Sequence, residues 1–470
     1  MKRFLGIALS LSIISGEAIA KGRWFPFKPK NLKSHIATSN WTRMGEIPEA
    51  TDVLELIQAK DGTIYASAIC RDMRGRVFKS RDNCETWDST ATIPGDVLFI
   101  WSILEGEDGT LYIATSDSGK VFKSNSKGDS WIETGRLDKA ISTLSLIEAS
   151  SGILYAGTAC IDEVGRVFKS ENKGESWIEA AKLDSTWRIE VLFEASDGTL
   201  YAGTSINREE MIGRPLFKST DGGNSWEITG NMGRAFTVSS IIESQDRTLY
   251  ASVICLEVVD SETLYVGRVF KSKDKGESWE ETQKLPQGKE MTWASALIQA
   301  FDGTLYLGMG LLEEEWVVYP KVLKSTDGGE TWVDTGPLGV ERMVNTLLET
   351  SDGNIYAGIG GYVLKYTPTG IEEKASPTLS KTLQVSPNPF KEFSVISFQF
   401  PVKERIGLKI YDASGRLVKT FTKTQSQKPR AYSITWDGRD EKGIEVPPGV
   451  YFIQAKTPIG VEVEKILKIR

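Results

Sequence analysis

Six times the chain spells Lys-Ser, a short polar turn and then Ser/Thr-Trp: Ser80 to Trp87, Ser124 to Trp131, Ser170 to Trp177, Ser219 to Trp226, Ser272 to Trp279 and Ser325 to Trp332. Each copy fits Ser-x-Asp-x-Gly-x-Ser/Thr-Trp, with Cys84 in place of Gly and Ser126 and Asn172 in place of Asp. Self-similarity at such a period means an array of equivalent units, each burying its apolar face against its neighbours. The residue types suit a tight hairpin. Asp82, Asp221, Asp274 and Asp327 can turn their carboxylates onto nearby backbone N–H groups, and Gly at the fifth position can take positive φ. The closing Trp offers a large apolar face to an adjoining sheet.

A second repeat lies between the first. Asp61-Gly62-Thr63-Ile64-Tyr65-Ala66 recurs in varied form from Asp108, Ser151, Asp197, Asp246, Asp302 and Asp352, seven copies against six of the Trp-ended turn. Each unit therefore reads as an inner strand A, a Gly turn, strand B, strand C, the Trp-ended turn and an outer strand D. The last unit stops at Tyr366 without its D strand, while Asn40 to Gly45 matches the segment from Ser130 to Gly135. The expectation is an all-β chain with a seven-bladed ring over residues 40–366. Its N-terminal strand completes the last blade, which removes two open sheet edges.

The Trp-ended turn resembles the Asp-box, or bacterial neuraminidase repeat, over roughly residues 40–366, and that resemblance implies a sialidase-like β-propeller. On it, Asp82, Trp87, Trp131, Trp177, Asp221, Trp226, Asp274, Trp279, Asp327 and Trp332 are structural. True sialidases carry an arginine triad, a Tyr nucleophile assisted by Glu, an Asp acid/base and an Arg-Ile-Pro element before the first box. Here Arg188, Arg234, Arg342 and Tyr362 stand at suggestive positions, but Arg-Ile-Pro is missing before Ser80 and the blade count is seven rather than six. The two-propeller xyloglucanase arrangement needs a second ring that this chain lacks.

The start, Met1-Lys2-Arg3, an apolar run from Phe4 to Ile14 and Ala18-Ile19-Ala20, reads as a signal peptide over residues 1–20 followed by a leader over 21–39. No other apolar run approaches membrane length, so no transmembrane segment is expected in the mature chain. A formal charge of −7 argues against nucleic acid as a partner. A linker rich in Pro, Ser and Thr covers 367–383, and short alternating runs then suggest an immunoglobulin-like β-sandwich over 384–470. Its landmarks are Ser386-Pro-Asn-Pro-Phe390, Tyr411-Asp-Ala-Ser-Gly-Arg416, Trp436-Asp-Gly-Arg-Asp440 and Pro448-Gly-Val-Tyr451. They resemble the C-terminal sorting domain of type IX secretion substrates and the related flagellar hook-capping domain. That resemblance implies export to the outer surface of a Gram-negative-type cell, with the outer-membrane secretion machinery as partner.

Four cysteines in an exported chain invite disulfides. Cys70 and Cys84, however, fall at opposite ends of one strand, roughly 15–20 Å apart at strand rise and beyond the ~7 Å reach of a bridge. Buried free thiols are expected, and neither metal spacing nor a cofactor motif is present. The only histidine, His35, precedes the first strand, which removes His-based nucleophilic schemes. A–B turns and box turns should share one face, leaving the B–C and D–A loops to form the other. Trp101, Trp187, Trp293 and Trp316 remain after the repeat tryptophans are assigned, and all fall on that second face, with Arg188 and Arg342 beside them. They are the candidate binding residues for a glycan or protein ligand at the cell surface, or else fill gaps between blades. The expected function is non-enzymatic binding. The alternatives are a glycoside hydrolase or lyase using loop carboxylates such as Asp72, Asp162, Glu209 and Glu257, and an adhesion or assembly platform.

Overall fold

The computed structural model describes residues 40–367 except 117, 207–211, 260–261, 288–290 and 314–316. Beyond them it describes 383–386, 390–391, 393–398, 406–412, 416–423, 432–457 and 460–469. The signal peptide, leader, His35, Trp316, Glu209 and nearly all of the linker lie outside the described residues. The chain divides into two compact units, Met1–Gly370 and Ile371–Arg470, and among the described residues every helix or strand assigned is a strand.

In the first unit the strands gather in fours in chain order. The first group is Ala50–Gln58, Ile64–Cys70, Gly75–Ser80 and Asp88–Ser89, each antiparallel to the next. Nearly every residue of Ile64–Cys70 and Gly75–Ser80 is buried, so the middle strands are covered on both faces. The last group is Val344–Glu349, Ile355–Ile359 and Tyr362–Tyr366, and its fourth strand is Trp41–Arg43 from the other end of the chain. Trp41 pairs with Tyr366, Thr42 with Lys365 and Arg43 with Leu364, as the match of residues 40–45 to an outer strand predicts. Trp41 Nε1 donates to Thr335 Oγ1 of the preceding group at 2.9 Å.

Neighbouring groups are tied by contacts that lie outside the two repeated motifs. The last residue of each inner strand accepts the backbone N–H of a turn in the group before it: Glu105 from Lys60, Glu148 from Glu107, Glu194 from Ser150 and Glu243 from Ser196. Gln299 accepts from Gln245, Glu349 from Phe301, and Gln58 of the first group from Ser351 of the last. Their distances run from 2.6 to 2.8 Å, and the seventh bond returns to the start, so they close a cycle. Further out, Tyr65, Tyr155, Tyr201, Tyr250 and Tyr356 each hand a hydroxyl to a backbone carbonyl in the box turn of the following group.

The box turns fold as the sequence dictates. In Ser219–Trp226, Asp221 Oδ1 accepts Ser225 N–H at 2.9 Å and Oδ2 accepts Ser225 Oγ–H at 2.5 Å, while Ser219 Oγ caps Gly223 N–H at 2.9 Å. The Ser225 hydroxyl and amide hold the Asp221 carboxyl down to about 2. Cys84, standing where the other boxes have Gly, takes a φ of 68°, a strained value for a residue with a Cβ. Trp87, Trp131 and Trp177 are buried, whereas Trp226, Trp279 and Trp332 are half-buried. The apolar face that each closing Trp offers is therefore covered to different extents along the ring.

All four cysteines are free and buried. Burial pushes the Cys84 and Cys255 thiols up to about 12, so they remain protonated and inert.

The second unit holds two antiparallel sheets. One contains Leu383–Ser386, Ser394–Phe398 and Tyr432–Trp436; the other Leu417–Lys423, Ile406–Asp412, Gly449–Thr457 and Gly460–Lys468. Phe390, Ile396, Leu408, Ile410, Trp436, Ile453 and Ile466 make one core. The sequence landmarks carry it: Trp436 lies between Phe390 at 5.3 Å and Tyr451 at 5.2 Å, and donates Nε1–H to Arg439 O. Tyr451 donates its hydroxyl to Pro447 O at 2.7 Å.

Candidate functional site

Ion pairs identify the two faces of the first unit. Lys127, Lys173 and Lys275 of three box turns reach Asp61, Asp108 and Asp197 of A–B turns in the groups before them. Box and A–B turns therefore share a face and occupy one another. The B–C and D–A loops make the opposite face.

On that opposite face, arginines fix the turns of the first and third groups. Arg76 takes both oxygens of Asp72, and Arg74 reaches Asp96 at 2.7 Å. Arg166, 2% exposed, forks onto both oxygens of Asp162 at 2.5 Å and reaches Glu179 at 3.0 Å. The Arg166 guanidinium holds Asp162 down to about 2. Arg268 does the same work between Glu257 and Glu281. Of the loop carboxylates named from sequence, Asp72 and Asp162 are thus engaged in holding turns and Glu257 in pairing two strands.

The tryptophans on this face turn inward in part. Trp101 stacks on Phe99 at a centroid distance of 5.0 Å and 15° between planes. Trp293 packs against a cluster containing Ile254, Leu256, Tyr265 and Met291, and Trp187 is half-buried at the start of Thr186–Glu194. Arg188 donates Nε–H to Glu190 at 2.5 Å, and Ser205 also donates to that carboxylate. Arg234 gives Nε–H to Leu256 O at 2.6 Å. Arg342 lies near Asp52, whose pKa burial raises and Arg342 partly restores. Tyr362 has the Arg43 guanidinium 3.5 Å above its ring.

Where sequence reasoning named no residues, the loops border an open cavity of about 630 Å³ between the second and third groups. Its walls include Lys120, Glu133, Arg136, Lys139, Ile141 and Ile161. Leu137 anchors the D–A loop by burying its side chain. Lys139, at φ 61°, then reverses the backbone so that its carbonyl accepts Ile161 N–H at 3.0 Å. From below, Thr143 Oγ1 fixes Gly119 O at 2.7 Å. Lys120 is neutralised by Glu133 at 2.9 Å. Ile141 and Ile161 are 48% and 73% exposed.

Carboxyls poised for acid chemistry lie elsewhere. Burial pushes Glu55 up to about 8 and Glu349 up to about 7. Both lie on inner strands, where they accept N–H groups of Ile103 and Phe301. Around the cavity, among the described residues, no such acid faces an ionised partner, the pairing that glycoside hydrolysis uses.

With this geometry in hand, the comparisons assign the first unit. A YCF48 protein bound to D1 peptide superposes with a TM-score of 0.53 at 16% identity, over 71% of this chain and 98% of that one. The first unit is a β-propeller. A streptogramin B lyase matches its fold at TM-score 0.53 and 12% identity, over 69% of this chain and 96% of that one. The GH74 xyloglucanase of Xanthomonas campestris does so at 0.53 and 13%, over 90% and 74%. At these identities the likeness is one of fold. Residues 394–459 match the FlgD Ig-like domain, and no curated protein matches the chain.

Proposed function

We propose that the protein is an exported, seven-bladed propeller that binds a protein ligand at the cell surface through its B–C and D–A loop face, without catalysis. The observation that carries this reading is the cavity between the second and third blades, whose lining is aliphatic and charged and includes no aromatic ring. Sugar faces are held chiefly by aromatic stacking, and two tryptophans of this face, Trp101 and Trp293, are engaged with Phe99 and an apolar cluster. The cycle of seven inter-blade hydrogen bonds supports the blade count. Export is supported by the leader pattern of residues 1–20, and a sorting role for residues 384–470 by the FlgD Ig-like match. One propeller of this fold has been seen with a peptide bound, which supports a peptide as the kind of ligand such a ring can take.

Purified mature protein, added to host cells deleted for its gene, tests the reading. Binding should be lost with Ile141→Asp and Ile161→Asp together and kept with Lys127→Ala and Lys173→Ala on the box face. The reverse pattern, or retention on a glycan array instead of on surface protein, would overturn it.

A further inference from the structure

The first and third blades contain a natural control for what the fold itself requires. Their B–C turns read Cys70-Arg-Asp-Met-Arg-Gly-Arg76 and Cys160-Ile-Asp-Glu-Val-Gly-Arg166, and the backbone is held in the same way in both. Arg71 N–H donates to Glu49 O at 2.9 Å as Ile161 N–H does to Lys139 O at 3.0 Å. Glu49 and Lys139 share φ values of 60° and 61°, and each turn is pinned by an Arg–Asp fork. The turn thus accepts a polar residue where Ile161 stands and an acid where Lys139 stands. Ile161 is nonetheless the most exposed large hydrophobic residue among those described, with Ile141 beside the same cavity. Apolar surface left in water next to a concave site, with no folding reason for it, marks a contact surface.

The charges choose the occupant. Lys120 is paired with Glu133, whereas Arg136 and Lys139 are exposed on the cavity wall, Lys139 acting at longer range on Asp162, which Arg166 already holds. Asp138 between them is the other acid on the cavity wall, so the lining carries one net positive charge on a chain whose formal charge is −7. A guanidinium fork takes a carboxylate through two parallel hydrogen bonds. A cavity of about 630 Å³ suits a few residues of chain rather than a large side chain alone.

Resting on the protein-binding reading above, we infer that this cavity receives an extended peptide segment in which an aliphatic side chain sits against Ile141 and Ile161, with a neighbouring carboxylate on Arg136 and Lys139. The carboxylate comes from an Asp or Glu side chain or from a chain terminus.

The test uses the mature full-length protein and a phage-displayed library of random dodecapeptides. Enriched peptides are synthesised with free and amidated C-termini, and binding is read by fluorescence polarisation. Selection should converge on Ile, Leu or Val within two residues of a carboxylate, and the amidated arm separates side-chain from terminal acid. Ile161→Asp, and Arg136→Glu with Lys139→Glu, should each weaken the selected peptide at least about tenfold at unchanged melting temperature. Glu is tolerated at position 139 because Glu49 holds the matching turn. A peptide with Lys in place of its acid should regain affinity for the charge-reversed protein. Absence of enrichment, enrichment without an acid, a loss below twofold, or preference for phosphatidylglycerol vesicles over peptide would each overturn the inference. If cells still bind through the loop face while peptides fail, this inference falls and the broader reading stands.

Discussion

The junction between the second and third blades and the junction between the third and fourth are built from the same motifs but are not held alike. At the first, Trp177 Nε1 donates to Thr134 Oγ1 at 3.2 Å, Gly135 N–H donates to Gly174 O at 2.7 Å, and Lys123 pairs with Glu175. At the second, a bulge inserts Ala180, and Ala181 stands opposite Val167 where other outer strands place a threonine. Trp226 turns its Nε1–H back to Gly223 O of its own box, and Lys169 meets the neutral Asn224 at 3.2 Å. The inner contacts survive: Glu194 still accepts Ser150 N–H and Ser145 still accepts Leu192 N–H. The lesson is that the inner strands carry the ring, while the outer strand facing each box sets how tightly that rim is sewn. The box of the fourth blade has an unaltered motif and the looser docking, so motif quality reports the turn and not the junction.

The closing junction offers the largest test of that ordering, since it depends on a strand from the far end of the chain. Deleting residues 21–45 removes Trp41–Arg43 and the Trp41–Thr335 bond and opens the edge of Tyr362–Tyr366. The truncated protein should aggregate or unfold without a cooperative transition. A melting curve that superposes on that of the full ring would place stability in the remaining junctions alone.

Within the ring, Trp177→Ala should cost about 3–5 kcal/mol, because a buried ring leaves a cavity that its neighbours only partly fill. Trp226→Ala, at a half-buried site, should cost about 1–2 kcal/mol. Urea titrations of the two variants at one pH measure the difference. Equal losses would erase the distinction between tight and loose rims.

Much of this was legible in the sequence. Hairpin chemistry fixes the box turns, and the match of Asn40–Gly45 to an outer strand gives the closure, because both depend on local residue types and a repeat. The inner cycle was also written there, as Glu or Gln three residues before each Asp-Gly or its variant, as in Glu194-Ala-Ser-Asp197. It is hard to see there because a lone acid in a strand reads as a solvated face. The cavity was less accessible. Lys120, Arg136, Ile141 and Ile161 are spread over a stretch running from position 120 to position 161, and only the blade packing brings them together. The leftover tryptophans point to the loop face, but the packing of Trp101 on Phe99 and of Trp293 into an apolar cluster depends on neighbours that no spacing rule names.

A third junction, between the first and second blades, differs again. Glu55 accepts Ile103 N–H where Ser145 accepts the equivalent N–H of Leu192, and burial raises its pKa to about 8. An unfolded Glu titrates near ~4.3. Between these values the folded state holds a proton that the unfolded state has lost, so stability should fall as pH rises from about 4.5 to 8 and then level. Glu55→Gln keeps an acceptor without the charge. It should flatten that slope and gain about 1–2 kcal/mol above the folded pKa, a range reduced because the side chain keeps some exposed surface. A slope identical in the two proteins would assign the pH dependence to other groups.

The smallest effect tests whether the loose rim can be sewn shut. Thr134 N–H bonds Val121 O, and its hydroxyl takes the indole N–H of the next box; Ala181 has the matching backbone position without the hydroxyl. Replacing Thr134 by Val keeps shape and removes only the acceptor, which should cost about 1 kcal/mol by stranding a largely buried N–H. Ala181→Thr should gain about 0.5 kcal/mol, less than the reverse loss. Trp226 must give up its bond to Gly223 O to use the new hydroxyl, and the bulge at Ala180 sets the reach. A double-mutant cycle with Trp177→Phe and Trp226→Phe separates the hydrogen bond from packing. Coupling for the Thr134–Trp177 pair, with none between Trp226 and the hydroxyl introduced at position 181, would mean that the bulge, and not the missing hydroxyl, keeps the third and fourth blades apart at their rim.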